Sequence, residues 1–305
     1  MLEKAFFIYN PLSGNRAVPL KLDYIINRFF QKDILLIPYR ISDHDHGRLM
    51  DIFEKEDFSR VIVSGGDGTI SSVVNLLLKN NINLPIGIIP SGTCNDLARS
   101  LEIPHNLKNC LDVILEGHVE EIDAGLINED TYFLNTCAGG IFVEASYCTS
   151  NELKKNLGAL AYYLKALDEV TNIKPFKLTV QTESDIIDGE FLLFLILNGK
   201  HVAGFNNIVK KADLSDGLMD ILLVKNCLPL DIAGLFFKVL SNDFLNDRNV
   251  IWLKTKSCTI SGSSNVALSI DGEKGSGLPI SIRFINKAVK VFTGSTPHTP
   301  SSFNK

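Results

Sequence analysis

Apolar residues in the first part of the chain form short continuous runs that alternate with stretches of helical spacing. The continuous runs are rich in β-branched and aromatic residues, which predicts buried parallel strands. The stretches between them carry apolar residues three or four positions apart, which predicts amphipathic helices. This alternation favours a parallel sheet with helices on both faces. The predicted strands are Lys4–Tyr9, Asp33–Pro38, Val61–Val63 and Leu84–Ile89. The predicted helices are Pro19–Phe30, one around Leu49–Phe53, one from Ile70 to Leu78, one around Leu97–Leu101, and Leu107–Leu115.

The pattern changes after about residue 122, where short apolar segments are separated by Gly, Asn and Asp. These segments predict an antiparallel, sandwich-like unit. Two helices are expected within it, Leu157–Val170 and Leu230–Leu240, and the polar tail over 294–305 is expected to be disordered. The expected fold class is a doubly wound α/β domain followed by an antiparallel β-sandwich domain. The predicted strands of the second domain are Tyr132–Cys137, Phe176–Thr182, Glu190–Asn198, Gly217–Val224, Ile251–Lys256, Val266–Ile270 and Ile280–Phe284.

A glycine-rich turn follows the third predicted strand, and an aspartate lies inside it. Glycines at 65, 66 and 68 let a ligand approach the main-chain N–H groups, and the next helix adds its positive N-terminal end. Together these features are typical of a phosphate site. A carboxylate beside a phosphate needs a cation or a proton-transfer role, which makes Asp67 a candidate for chemistry. The alternative is an ordinary tight turn in which Asp67 caps the helix.

Two further polar loops follow predicted strands of the same sheet. They are Asn10–Asn15 and Ser91–Asp96, and the glycine turn lies between them along the chain. Because ligands bind at the carboxyl ends of parallel strands, all three loops are expected at one edge of the sheet. Three loops suited to phosphate at one edge indicate a nucleotide or phosphate site more strongly than one loop does.

Two acidic clusters stand out in the second half of the chain. Asp213 and Asp216 flank a turn and are hard oxygen donors of the kind that bind Mg²⁺, although they also suit a plain turn before a strand. In the second cluster, Asp271-Gly272 fits a hairpin turn, and Glu273 next to it is a candidate general base. At the first cluster the spacing alone favours the plain turn, and at the second cluster periodicity does not choose between the hairpin turn and the general base.

Composition narrows the classes of function. The net charge is −5 and no long Lys/Arg run occurs, so no nucleic-acid partner is expected. The six cysteines lack the spacing of a zinc site or a disulfide framework, which favours a reduced cytoplasmic setting. The longest apolar run, Phe191–Leu197, is far shorter than the ~20 residues of a membrane-spanning helix. We therefore expect a soluble protein, or one that lies on a membrane surface.

The motifs occur together in an order that resembles one known family. They are Asn10-Pro11-x-Ser13-Gly14, Gly65-Gly66-Asp67-Gly68-Thr69, Gly92-Thr93-x-Asn95-Asp96, Asp213-x-x-Asp216-Gly217 and Asp271-Gly272-Glu273. The combination resembles the bacterial diacylglycerol kinase family of soluble lipid kinases, relatives of sphingosine and ceramide kinases and fold relatives of NAD kinase. The resemblance extends from Lys4 to about Phe292.

The resemblance implies a different binding role for each of the two domains. Residues 1–122, with a returning strand at about 288–293, would bind ATP, and residues 123–287 would bind the lipid. Asp67 would organise a catalytic Mg²⁺, and Glu273 would accept the proton. A structural Mg²⁺ would bind to Asp213, Asp216 and the carbonyl of Leu218. The implied nucleotide contacts are Asn10, Pro11, Leu12, Ser13, Gly14, Ser42, Gly65, Gly66, Asp67, Gly68, Thr69, Ile70, Ser71 and Thr93.

The implied activity is transfer of the γ-phosphate of ATP to a lipid hydroxyl, in the first place of diacylglycerol to give phosphatidic acid. The enzyme would be cytoplasmic, would touch the membrane surface during turnover, and a homodimer is expected. Another lipid or a long-chain base is an alternative acceptor, and so is a soluble substrate as in NAD kinase. A catalytically silent nucleotide-binding regulator is a third class, against which the presence of both Asp67 and Glu273 weighs.

Overall fold

The structure is a computed structural model. It describes residues 2–13, 17–42, 46–141, 143, 174–202, 205, 207–241, 243–264 and 266–294. Gly14, the predicted helix Leu157–Val170 and residues 295–305 of the predicted tail lie outside the described residues.

The first part of the chain is a parallel sheet with helices between its strands, as the alternating pattern predicted. Its strands are ordered β2-β1-β3-β4, with β1 between β2 and β3. The side chains of Phe6, Phe7 and Ile8 on β1 are fully buried. The helix predicted from Pro19 to Phe30 is divided at Lys21. The elements are β1 (Glu3–Tyr9), α1 (Ala17–Leu20), α2 (Leu22–Phe30), β2 (Ile34–Arg40), α3 (His46–Lys55), β3 (Arg60–Gly65), α4 (Asp67–Lys79), β4 (Ile86–Pro90), α5 (Asp96–Ser100) and α6 (Leu107–Glu116).

The second part is dominated by antiparallel strands, which confirms the predicted β-sandwich-like domain. Its core is built from side chains such as Phe133, Phe194, Met219 and Ile260, all of them fully buried. The elements are β5 (Val119–Ile127), β6 (Thr131–Phe133), β7 (Thr136–Gly140), β8 (Phe176–Thr182), β9 (Ile186–Leu197), β10 (Met219–Lys225), α7 (Pro229–Leu240), a 3-10 helix (Phe244–Asn246), β11 (Val250–Thr255), β12 (Ser257–Gly262), β13 (Leu268–Ile270), β14 (Glu273–Lys274) and β15 (Ile280–Phe292).

Strand β15 connects the two parts. Its first half pairs antiparallel with β12, and both its halves pair antiparallel with β5 on either side of an irregularity between Ile285 and Val289. Near its end, Val291 pairs parallel with Ile86 of β4. Within the described residues all strands therefore belong to one hydrogen-bonded network. The strand predicted at Ile280–Phe284 and the returning segment expected at about 288–293 form one continuous strand, β15, which enters the parallel sheet.

One strand prediction is wrong and two strands were not predicted, each for a physical reason. Tyr132–Cys137 is not one strand but two, β6 and β7, because the N–H groups of residues 134–136 are donated to the carboxylate of Asp271. Strand β12 was not predicted because only Cys258 and Ile260 mark its buried face among Ser, Thr and Gly. Strand β5 was not predicted because its first three residues are only partly apolar.

Candidate active site

The glycine turn connects β3 directly to α4. Gly66 occupies the N-cap position with an extended backbone, and Asp67 is the first residue of the helix. The first helical hydrogen bond runs from the Ile70 N–H to the Gly66 carbonyl at 3.1 Å. The alternative in which Asp67 caps this helix is therefore wrong. Its carboxylate is available for another purpose, at the positive end of α4.

The turn after β3 touches the loop after β4. The Ser91 N–H donates to the Gly65 carbonyl at 3.0 Å. A β-carbon on Gly92 would lie 2.5 Å from the α-carbon of Gly66, so only glycine fits at this approach. A side chain at either position would fill the space beside the free N–H groups at the start of α4. The arrangement is a main-chain cradle that suits the oxygens of a phosphate chain.

Serine and asparagine side chains connect all three predicted phosphate loops. The hydroxyl of Ser91 lies 3.0 Å from that of Ser13 and 3.4 Å from that of Ser64. Asn10 donates its N–H to the Ser64 carbonyl at 2.9 Å and its Nδ2 to Thr69 Oγ1 at 3.3 Å. The structure thus brings Asn10, Ser13 and Thr69 together as predicted, and it adds Ser64 and Ser91. Sequence reasoning missed these two as single residues, although Ser91 opens a loop that it had selected.

The Asp67 carboxylate points toward the start of α5. Its Oδ1 accepts a long hydrogen bond of 3.5 Å from the Leu97 N–H. Burial raises the pKa of Asp67, backbone N–H groups of Leu97 and Asn95 counter part of the shift, and the charge of Asp271 adds to it. On balance the folded environment therefore disfavours the ionised form of Asp67. A bound cation would stabilise that form.

The predicted hairpin at Asp271-Gly272 is present and firmly anchored. Both residues have positive φ angles, 48° and 87°, as a two-residue turn between β13 and β14 requires. The buried Asp271 carboxylate accepts N–H groups from residues 134–136 at 2.8 to 2.9 Å and the Ser71 hydroxyl at 2.8 Å. Burial raises the pKa of Asp271, and these donors lower it in part. The hairpin is thereby fixed to both α4 and the β6–β7 connection.

The anchored hairpin carries Glu273 onto the glycine turn. A β-carbon on Gly68 would lie 2.6 Å from Oε1 of Glu273. The predicted general base and the predicted phosphate cradle are therefore adjacent, although they are far apart in the sequence. The two alternatives left open for this cluster are compatible, because Asp271 and Gly272 form the turn and Glu273 is presented by it.

The acidic loop, residues 213–218, precedes β10. Asp213 Oδ1 accepts the Ser215 N–H and hydroxyl, both at 2.9 Å, and Asp216 Oδ1 accepts the Leu218 N–H at 2.9 Å. The second oxygen of Asp216 lies 2.8 Å from the Lys254 ammonium. Over the part of the chain that the structure describes, no group of three or more His, Cys, Asp or Glu side chains is arranged to hold a metal ion.

Asp123 on β5 lies under the acidic loop, and sequence reasoning missed it. Its carboxylate accepts the N–H groups of Gly217 at 2.6 Å and Lys287 at 2.7 Å, and Nδ2 of Asn286 at 3.0 Å. Burial raises the pKa of Asp123, and the nearby carboxylates of the acidic loop raise it further. A lone aspartate among apolar residues gives no signal of such a role. Its partners come from the acidic loop and from β15, both of them distant in sequence.

The remaining predicted nucleotide contacts are scattered around the cradle or lie outside it. The Leu12 N–H donates to Asn10 Oδ1 at 2.9 Å, which shapes the first loop around Pro11. Ile70 is buried on the inner face of α4. Ser42, after β2, and Thr93, after β4, are exposed.

Comparisons with known proteins agree on one family. Residues 4–127 match the model of the diacylglycerol kinase catalytic domain, and residues 140–293 match that of the YegS C-terminal NAD kinase beta sandwich-like domain. The diacylglycerol kinase of Staphylococcus carnosus is 31% identical over 294 residues, 96% of each chain. That of Bacillus subtilis is 31% identical over 285 residues, 91% of this chain and 92% of its own.

A solved structure points the same way. The crystal structure of a Bacillus anthracis str. Sterne protein, described as a candidate diacylglycerol kinase, superposes with a TM-score of 0.81 at 25% identity. The match covers 96% of both chains. The family expected from the five sequence motifs is confirmed, and the chain belongs to the diacylglycerol kinase family.

Proposed function

We propose that the chain is an ATP-dependent lipid kinase that phosphorylates the free hydroxyl of diacylglycerol to give phosphatidic acid. The observation that carries this proposal is the contact between Glu273 and Gly68, because it sets a carboxylate beside a main-chain phosphate cradle. A proton acceptor next to a phosphate site is what transfer to an alcohol requires. Membership of the family supports the acceptor class, and the relatives above carry the name diacylglycerol kinase.

The cradle supports ATP as the phosphoryl donor. The glycine turn supplies N–H groups at the positive end of α4, and the Gly66–Gly92 approach keeps them open. The side chains of Asn10, Ser13 and Thr69 surround the same turn, and we assign them to the phosphates and ribose. Gly14, Ser42, Ser71 and Thr93 remain proposed contacts on the resemblance alone.

The chemistry follows from this arrangement. The lipid hydroxyl forms a bond to the γ-phosphorus while the bond to the departing ADP oxygen breaks. Glu273 receives the hydroxyl proton, and the N–H groups of the glycine turn stabilise charge on the phosphate oxygens. We assign the holding of a catalytic Mg²⁺ to Asp67, whose carboxylate accepts a long hydrogen bond of 3.5 Å from the Leu97 N–H. Such an ion supplies positive charge to the transferring phosphoryl group.

A second Mg²⁺ is proposed at the acidic loop. Asp213, Asp216 and the carbonyl of Leu218 form a set of hard oxygen donors, which is the donor chemistry that Mg²⁺ prefers. The buried carboxylate of Asp123 braces the same loop through the Gly217 N–H. In this proposal the ion stabilises the loop, and it takes no part in the transfer.

The acceptor lipid resides in a bilayer, so we propose peripheral contact with the membrane surface in the cytoplasm. No helix among the described residues is both long and apolar enough to cross a membrane. Assembly as a homodimer also belongs to the proposal, and sedimentation of the pure protein measures it.

The decisive test is phosphorylation of a panel of acceptors with labelled ATP. Diacylglycerol, ceramide, sphingosine and NAD are compared in mixed micelles, with the Glu273→Gln protein as the inactive reference. We expect diacylglycerol to be the preferred acceptor. Preference for sphingosine or NAD would reassign the acceptor, and ATP binding without turnover on any acceptor would instead indicate a regulator.

A further inference from the structure

A lysine side chain of the same chain lies against the acidic loop and supplies a positive charge there. The Lys254 ammonium lies 2.8 Å from Oδ2 of Asp216 and 3.8 Å from Oδ2 of Asp220. The Lys254 and Asp216 side chains are each about one quarter exposed, at 25% and 26%, and that of Asp220 is 2% exposed. The ammonium is therefore held between two carboxylates that are largely shielded from water.

The sheet fixes this position. Lys254 on β11 pairs directly with Asp220 on β10, so its side chain starts next to the end of the acidic loop. The Trp252 indole donates to Oδ1 of Asp220 at 2.7 Å, which leaves the other oxygen of that carboxylate toward Lys254. The pairing of β10 with β11 therefore sets the position of the Lys254 ammonium, which does not depend on the rotamer of a freely exposed side chain.

Both oxygens of Asp216 are engaged in this state. Oδ1 accepts the Leu218 N–H at 2.9 Å, and Oδ2 faces Lys254. A divalent ion bound to Asp216 would lie next to the ammonium, and like charges at that distance repel. The ammonium must leave before the ion can take the Oδ2 position.

We propose that Lys254 is a built-in counter-ion of the acidic loop, which keeps the loop folded without metal and must be displaced when Mg²⁺ binds. This inference rests on the Mg²⁺ site proposed above at Asp213, Asp216 and Leu218. Its consequence is a loop that needs no metal to fold and a Mg²⁺ affinity that is reduced by internal competition. The lysine therefore sets how strongly this site depends on the Mg²⁺ concentration.

Lys254→Met tests the proposal because methionine keeps an apolar stem and removes the charge. Mg²⁺ binding is measured by calorimetry without nucleotide or lipid, and melting temperatures are measured in EDTA. We expect the variant to bind Mg²⁺ about two- to fivefold more tightly, the size expected for loss of one partly exposed ion pair. We also expect it to melt roughly 1–2 °C lower in EDTA and to regain that loss in excess Mg²⁺.

Two controls separate this effect from a general change of charge. Lys256→Met removes the same charge at an exposed position two residues further along, and it should bind Mg²⁺ as the wild type does. Lys254→Arg retains the positive charge and should restore the wild-type affinity. If the methionine variant does not fold, Lys254→Gln replaces it with the same expectation.

Equal Mg²⁺ affinity in the wild type and the uncharged variant, Lys254→Met or Lys254→Gln, would overturn the proposal, and so would the absence of Mg²⁺ binding in both. The result is independent of the acceptor panel, because no nucleotide or lipid is present in the calorimeter. A failure of lipid phosphorylation would therefore leave this measurement interpretable by itself.

Discussion

Oε1 of Glu273 lies against Gly68, at a point where a β-carbon on residue 68 would be only 2.6 Å away. The contact joins a residue of the β-sandwich-like domain to the glycine turn of the α/β domain. The hairpin holds Glu273 in this position, because Asp271, two residues earlier, is hydrogen-bonded to α4 and to the connection between β6 and β7. The proposed base therefore has a position that the rest of the hairpin imposes on it.

Glu273→Gln should lower kcat by about 10²–10⁴-fold, the usual contribution of a general base. Glutamine keeps the shape of the side chain but does not accept the proton. The KM for ATP should change little, because the cradle is built from the other domain. Steady-state kinetics on diacylglycerol and ATP measure both quantities. Lys274→Gln, one residue further on the same hairpin, is the matched control. A normal kcat in the Glu273 variant would show that the hairpin is a turn without a catalytic role.

Gly68→Ala should displace the Glu273 carboxylate without unfolding the protein. The new methyl group meets the end of the flexible Glu273 side chain, which can move. The substitution should therefore shift the carboxylate more than it lowers the free energy of unfolding. We expect kcat to fall roughly tenfold or more, since small displacements of catalytic groups are costly. Gly47→Ala is the control, because nothing lies within 4 Å of its added carbon. If both alanine variants turn over alike, the Gly68 contact has no catalytic importance.

Asp67→Asn should separate activity from stability. The side chain has the same shape but loses the charge that we assign to Mg²⁺, so kcat should fall ~10²-fold or more. The melting temperature should stay the same or rise, because burial disfavours the ionised form that the variant removes. Kinetics and thermal melting are measured on one preparation. A large fall in melting temperature would instead assign Asp67 a structural role.

Asp271 should make stability depend on pH. Its pKa is raised in the folded state, so the folded protein holds this proton more tightly than the unfolded chain does. Its contribution to the free energy of unfolding is therefore fully present below the ordinary aspartate pKa of about 4, and it is lost as the pH rises through the folded-state pKa. The asparagine of the Asp271→Asn variant does not titrate, so this variant lacks the pH-dependent contribution.

The free energy of unfolding of the wild type minus that of Asp271→Asn should accordingly decrease from about pH 4 toward neutrality. Urea titrations of both proteins at several pH values give this difference. An increase with pH would show that the N–H groups of residues 134–136 outweigh burial.

The sequence predicted those parts of the molecule in which neighbours along the chain decide the structure. The glycine turn, the Asp-Gly hairpin and the alternation of the first domain are all local patterns. The roles of Ser91, Asp123 and Lys254 were not predictable, because their partners lie in parts of the chain that are distant in sequence. The break between β6 and β7 has the same origin, since the acceptor of its N–H groups is Asp271, more than a hundred residues further along the chain.

The pairing of Val291 with Ile86 has a consequence for synthesis. While the chain leaves the ribosome, β4 keeps an open edge until β15 has been translated, so the α/β half cannot complete its sheet before then. The same strand then covers open edges of β5 and β12. A nascent chain that stops before β15 would present three unpaired strand edges together, and unpaired edges favour aggregation.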